Sequence, residues 1–347
     1  MLKKERRPRI VRNGIVLVAT SLTLLSAACA APRAESGSAF DGAVTDSVKS
    51  AIAEEGPVVL LQNNWTSQLI QSRLAYRVLQ EMGAQAEIAP VDWAASFPAM
   101  ASSDDTVLME LWDLTSKDLL EKFVETDKSV VDLGDTGPSA EEGWYVPTYV
   151  IEGDPARGIE PTCPGLPNWE ALNDCVDAFA ATPGAKGRYF SGDVAWGEQY
   201  GDVQRIENLD LNYEISFAGS EAALGAEFSR AYERGEPILG LMWAPHFLTA
   251  KYDLTRVEFP AYSDECWGTT YACNWGDISL RKMASADFAE NHPVAAAFLD
   301  KYTLTDDALD SMMVNVDEGG MSVDEAVDEW MEASPGTWQA WIPTDVS

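Results

Sequence analysis

Tryptophan is the residue type with the most unusual placement in this chain, which holds 12 of them in 347 residues. Four stand at one kind of position. Trp65 follows the apolar run Val58-Val59-Leu60-Leu61 and a Gln62-Asn63-Asn64 turn, and Trp112 closes the run 106–111. Trp196 follows the run 187–191 and a Ser-Gly-Asp turn, and Trp243 closes 237–242 before Ala244-Pro245-His246. An indole face attracts a cation by about 0.5–1 kcal/mol when exposed and about 2 kcal/mol or more when desolvated. A methylated ammonium group cannot donate hydrogen bonds, so ring faces suit it better than a lone carboxylate. The competing role is core packing, the ordinary use of tryptophan; spacing alone leaves these four evenly divided. Trp93, Trp169, Trp330, Trp338 and Trp341, on helices or in the tail, are expected in the core. Trp267 and Trp275 flank a cysteine pair and are expected to pack on it.

Catalytic signatures are missing. There is no G-x-S-x-G elbow, Walker A loop, H-E-x-x-H or G-x-G-x-x-G. His246 and His292 are the two histidines, so a histidine-dependent triad has almost no candidates. His292 precedes Pro293 between helical segments and reads as a capping or surface residue. Adjacent acids such as Asp104-Asp105 could serve a glycosidase, but 56 Asp and Glu make such pairs expected by chance. The turns Asp132-Leu-Gly-Asp135 and Asp317-Glu-Gly-Gly lack an EF-hand pattern, and neither a metal nor a cofactor is expected. A formal charge of −32 disfavours nucleic acid and anionic membrane surfaces, both of which need clustered Lys and Arg.

The amino terminus reads as an export signal over residues 1–28. Lys3, Lys4, Arg6, Arg7, Arg9 and Arg12 precede an apolar run from Gly14 to Ala28, too short to span a bilayer. Cleavage before Cys29 would make that residue the lipidated first residue of a bacterial lipoprotein. Ser26 stands where that pattern prefers Leu, and a cut after Ala30 is the competing reading. Setting Cys29 aside leaves Cys163, Cys175, Cys266 and Cys273, an even number in an exported chain. Proximity favours Cys163–Cys175 and Cys266–Cys273, although three connectivities are open. Zinc is disfavoured because neither pair has C-x-x-C spacing. No later segment is apolar enough to cross a membrane.

Strand and helix signals alternate behind a spacer at 29–55. Strand 58–61, a helix over 66–82 ending at Gly83, strand 86–91, helix 93–102, strand 106–111 and helix 115–126 form a βαβαβα progression. Trp144 to Val150 is strand-like, with Pro147 arguing against a central position. After the Pro- and Gly-dense stretch 151–168 a second series follows. It comprises helix 169–181, strand 187–191, helix 197–204, strand 213–217, helix 220–234 and strand 237–243. Residues 277–283 return to strand, and the tail is helical near 285–303, 305–315 and 322–333. The pattern predicts an α/β fold of two lobes with mainly parallel sheets and a helical carboxy-terminal tail. Lobe 1 would hold 56–150 plus 277–347 and lobe 2 would hold 151–276, with ligand bound at strand ends or between lobes.

Over roughly residues 55–342 the chain resembles the substrate-binding proteins of bacterial ABC importers for glycine betaine, proline betaine and choline. The segments that carry the resemblance begin with Asn63-Asn64-Trp65 before a helix ending Leu79-Gln80-Glu81-Met82-Gly83, and Val146-Pro147-Thr148-Tyr149-Val150. They continue with Trp196-Gly197, Trp243-Ala244-Pro245-His246, Lys251-Tyr252-Asp253-Leu254 and Asn291-His292-Pro293-Val294-Ala295-Ala296. The resemblance implies a hinge-closing, two-lobed periplasmic-binding-protein fold of type II without catalysis. It implies an aromatic box for the ammonium group made by Trp65, Trp196 and Trp243, with Trp112 as a fourth member. Backbone N–H groups of Gly197 and Glu198, and the side chain of His246, are the positions implied for a ligand carboxylate; His246 also reads as an ordinary core histidine. The ligand would be a zwitterionic or cationic methylammonium solute, glycine betaine first, delivered to an ABC permease outside the cytoplasm. Carnitine and dimethylsulfoniopropionate are further candidates, and the acidity fits a salty habitat. The rivals are a choline-specific binding protein, a secreted glycosidase-like hydrolase and an extracytoplasmic sensor or adhesion module. The long 151–190 segment, the two cysteine pairs and the acidity depart from many relatives.

Overall fold

Among the described residues, nine strands build the frame that positions the tryptophans. They are β1 (Pro57–Gln62), β2 (Gln85–Pro90), β3 (Thr106–Trp112), β4 (Val130–Pro147) and β5 (Gly187–Ser191). The remainder are β6 (Tyr213–Phe217), β7 (Gly240–Ala244), β8 (Leu254–Arg256) and β9 (Ile278–Ser285). The computed structural model describes residues 44–197 and 199–344. The expected signal over 1–28, Cys29, most of the spacer and Glu198 lie outside the described residues.

The strand order is β2-β1-β3-β9-β4-β7-β5-β6, with β8 on β4. The predicted βα units pair in parallel, β1 with β2 and β3 on one side and β5 with β6 and β7 on the other. Among the described residues, every antiparallel ladder between two of these strands involves β4 or β9. The sheet is therefore mixed, and the reason is connectivity. β4 runs 18 residues, pairing with β9 through its first part and with β7 through its last, so it passes from one half of the sheet to the other. Asp132-Leu-Gly-Asp135, expected to be a turn, is an irregularity inside β4 where the β9 register shifts. Contrary to the expectation from Pro147, β4 lies in the middle of the order; the proline is its last residue and pairs with Leu254 of β8.

Local expectations hold where periodicity is strong. The Thr66–Met82 helix buries Ile70, Leu74, Val78 and Leu79 and stops at Gly83, whose φ of 92° suits only a residue without Cβ. The helix expected over 115–126 is instead a four-residue turn, Lys117–Leu120, running into a π-helix, Glu121–Thr126. The one expected over 169–181 is largely 3₁₀, and the one near 197–204 begins at Asp202. Two cores cover the first half of the sheet. One joins the Thr66–Met82 helix and the tail helices to Val58, Leu60, Val107 and Met109; the other packs Phe97, Met100 and Phe123 on Leu61, Leu108 and Leu111. A third core, around Trp144, Tyr189, Phe228 and Leu241, fills the second half. Disulfides join Cys163 to Cys175 and Cys266 to Cys273. Trp267 and Trp275 face the buried Arg205 guanidinium, which lies 5.9 and 4.0 Å from their ring centroids. Among the described residues no helix is long and apolar enough to cross a membrane.

Candidate functional site

The four strand-end tryptophans meet. Trp65, Trp112, Trp196 and Trp243 line one narrow cavity together with Trp93, Glu142, Gln199 and Tyr200. Trp196 lies edge-on to Trp65 at 6.4 Å and to Trp243 at 5.8 Å, with interplanar angles of 81° and 82°. Such corners present ring faces from different directions to one enclosed point. The four rings are 4–7% exposed, so a cation among them would be desolvated and would meet the upper range of ring–cation attraction.

Each ring is set by a local device. Asn63 organises the turn before Trp65: its amide nitrogen donates to Val91 O at 2.9 Å, and its backbone N–H reaches Gln68 Oε1 at 2.9 Å. Trp196 ends a 3₁₀ turn capped by Asp193, which accepts from Ala195 N at 2.9 Å. Its ring lies against Gly192, where a Cβ would stand 2.3 Å from an indole carbon. Trp243 is placed by β7, directly opposite Glu142 on β4.

Glu110 orients two of the rings from behind. The β3–β9 register shifts between Leu108 and Leu111, which leaves Met109 and Glu110 both on the side of the Thr66–Met82 helix. There Glu110 Oε1 accepts from Trp65 Nε1 at 2.6 Å, Trp112 Nε1 at 2.9 Å and Ser67 Oγ at 2.8 Å, while Oε2 accepts from Gln71 Nε2. Burial pushes its carboxyl up from the usual value and these four donors pull it back.

Glu142 is the acidic group in the cavity wall. It is 1% exposed, accepts from the Tyr200 hydroxyl at 2.8 Å through Oε1, and has no hydrogen-bond partner at Oε2 among the described residues. Burial above all, then the charges of Asp202 and Asp113, push its pKa up to about 8 against the Tyr200 hydrogen bond. Its protonated form has an O–H to offer.

The other expected ligand groups are placed elsewhere. His246 does not line the cavity: its Nδ1 caps the Phe247–Lys251 helix by accepting from Leu248 N at 3.1 Å, and its Nε2 faces Glu221 Oε1 at 3.3 Å. Its ring touches the box only through the edge of Trp243, at 4.7 Å. Gly197 gives its N–H to Val194 O at 3.1 Å, which removes it as a free anion donor. Glu198 is among the residues not described. Trp93, expected in the core, is half-buried on the cavity wall and donates to Ser116 Oγ at 3.3 Å. Glu110, Glu142, Gln199 and Tyr200 escaped the sequence reading. The signal for Glu110 was an acid inside the apolar run Thr106–Trp112, where solvation is unavailable.

The profile of the family described as the substrate binding domain of the ABC-type glycine betaine transport system matches residues 56–333. A trimethylamine N-oxide-binding protein from Pelagibacter ubique is 29% identical over 302 residues, 84% of this chain and 92% of that one. Two solved structures share the fold with a TM-score of 0.67. A glycine betaine/L-proline-binding protein from Borrelia burgdorferi is 20% identical, covering 83% of this chain and 97% of its own. A choline-binding protein of an ABC transporter, in complex with choline, is 18% identical, covering 84% and 94%. The fold is the two-lobed α/β architecture of type II periplasmic binding proteins.

Proposed function

The chain belongs to the family of substrate-binding domains of ABC-type glycine betaine transport systems, and on that footing we propose that it captures a small trimethylated solute in the tryptophan cavity. The ammonium end would lie against Trp65, Trp112, Trp196 and Trp243, with Trp93 at the side, and the loaded protein would pass its cargo to a membrane permease. Substrate-binding proteins of ABC importers work outside the cytoplasm, in the periplasm or at the cell surface. Binding and release without turnover is the reading for this chain, so the solute would be recovered unchanged.

The observation that carries the choice of solute is Glu142 Oε2, a buried acid oxygen without a partner among the described residues, in a wall whose other members are rings and Gln199. An N-oxide carries its negative oxygen directly on the methylated nitrogen. Such a ligand needs one hydrogen-bond donor beside the aromatic box, and a protonated Glu142 supplies it. Trimethylamine N-oxide therefore ranks first, in line with the Pelagibacter relative's name. Glycine betaine, the expectation from sequence, places two carboxylate oxygens farther from the nitrogen; Gln199 on the same wall favours it as the second reading by offering a further donor. Choline, whose positive charge has no internal partner, would favour the ionised form of Glu142. Calorimetric titration of the exported protein with the three solutes in parallel tests the ranking. Tightest binding of the N-oxide supports it; choline bound tightest, or none bound, overturns it.

Two finer readings belong here. Lobe 1 would comprise 56–150 plus 277–347 and lobe 2 151–276; the pairing of Glu141–Pro147 with β7 and β8, and the packing of Trp144 to Val150 in the second-half core, favour a first boundary nearer residue 140. A lipid on Cys29 would hold the exported protein at the membrane; mass measurement of the cell-derived chain tests it, and a first residue other than Cys29 would end that reading.

A further inference from the structure

We infer that Glu221 holds the cavity shut, acting on Trp65 through the first backbone N–H of the Thr66–Met82 helix. This rests on reading the tryptophan cavity as the ligand site.

Trp65 occupies the N-cap position of that helix and gives it no side-chain acceptor. Other long helices cap themselves, as Ser220, Thr305 and Ser322 do. Here the acceptor comes from 155 residues away: Thr66 N donates to Glu221 Oε2 at 2.8 Å, and Thr66 Oγ1 lies 3.2 Å from the same oxygen. Asp317 Oδ1 accepts from Thr66 Oγ1 at 3.1 Å. Glu221 opens the Glu221–Arg234 helix, whose Leu224 and Phe228 pack in the core of the second half of the sheet, whereas the Thr66 helix packs in the first. The contact therefore ties the two halves together at the residue adjoining a box ring. On the other side of Glu221, His246 Nε2 stands 3.3 Å from Oε1 at ion-pair distance, off the line of a hydrogen bond.

Two further ion pairs join the same halves, Lys117–Asp264 and Lys251–Glu318, but their side chains are 33–79% exposed. Solvent-screened pairs of that kind change an equilibrium by less than about fivefold. A buried carboxylate on a helix-terminal N–H changes one by about tenfold or more. Glu221, 8% exposed, is the contact with enough weight to set how long the cavity stays closed. It also fixes Trp65 from the backbone side, while Glu110 fixes the indole from the ring side.

The test is stopped-flow tryptophan fluorescence of the exported protein with trimethylamine N-oxide and, separately, glycine betaine. The variants are Glu221→Ala, Glu221→Gln, Thr66→Pro and the Glu221→Ala/Thr66→Pro pair. Proline removes the N–H at a first helical position that tolerates it, and Trp65 already has the extended backbone, φ −115° and ψ 153°, that a residue before proline adopts. Each of Glu221→Ala and Thr66→Pro should raise the dissociation rate about tenfold with little change in association, and the pair should be no worse than either. Glu221→Gln, which retains an acceptor, should fall between. Unchanged dissociation in either single variant, or fully multiplicative effects in the pair, would overturn the assignment. Amide exchange of residues 66–69 without ligand separates the two readings. If the wild type binds neither solute the ligand reading fails, and Glu221 is then judged by exchange alone: faster exchange in Glu221→Ala supports the clasp, and equal exchange overturns it.

Discussion

Glu142 and Trp243 stand opposite each other across the antiparallel β4–β7 ladder, which sets an acidic group of the cavity directly beside one of its rings. Cross-strand partners have Cβ atoms about 4.5–5.5 Å apart. The strand register thus sets the Glu142 side chain beside the Trp243 ring.

Removing a buried ring should cost about 2 kcal/mol of ring–cation attraction, or roughly 30-fold in affinity, for Trp196→Ala and for Trp243→Ala. Trp93→Ala should cost less, because that ring is only half-buried. Calorimetry on the three variants checks the order. Wild-type affinity in Trp196→Ala would exclude the aromatic box.

Glu142 should make N-oxide binding depend on pH. Its carboxyl keeps its proton up to about 8, so affinity should hold below that value and fall as pH rises through it and the donor is lost. Glu142→Gln keeps an N–H donor and should bind with a flat profile across about two units on either side. A profile in the variant that still bends near the same pH would assign the titration to another group.

Glu110→Ala should damage stability and binding together. It strands the indole N–H groups of Trp65 and Trp112 as well as Ser67 and Gln71. Leaving such buried donors unpaired costs about 2–4 kcal/mol in all, read as a lowered denaturation midpoint. The freed rings should weaken ligand binding at least about tenfold. An unaltered midpoint would show that water replaces the carboxylate without loss.

Lys282 should give the fold an alkaline signature. Its buried ammonium donates to Asp135 O and Tyr302 O, each at 2.7 Å, and burial lowers its pKa from 10.5 to about 8. Between those values the unfolded chain holds more protons than the folded one, so this group makes stability rise with pH from about 8 to 10.5. Below about 8 the cost of the buried charge is present in full. Lys282→Met should remove that rise while losing two hydrogen bonds, and denaturant titrations across the window measure it. An unchanged slope would mean that Lys282 titrates normally.

Much of the site was legible because strand ends are legible. Period-two and period-3.6 patterns are local, so they place Trp65, Trp112, Trp196 and Trp243 at ends of strands or the turns after them without any tertiary knowledge. The same patterns locate the Thr66–Met82 helix and its stop at Gly83. The two disulfides close short loops, which explains why proximity favoured this pairing among the three that were open.

What the amino-acid order could not decide is which of 56 acids lose their water. Glu110 faces the Thr66–Met82 helix only because the β3–β9 register shifts beneath it, and Glu142 lines the cavity only because β4 continues past β9 to meet β7. His246 and Gly197 were read correctly as neighbours of box tryptophans in sequence. Neither lines the cavity: His246 Nδ1 caps a helix, and the Gly197 N–H closes a 3₁₀ turn. Local periodicity is written into consecutive residues, so the chain alone determined where the rings stand. Burial, hydrogen-bond partnership and charge state arise from partners far apart in the chain, such as Glu221 and Thr66, 155 residues from each other, and those only the tertiary structure decided.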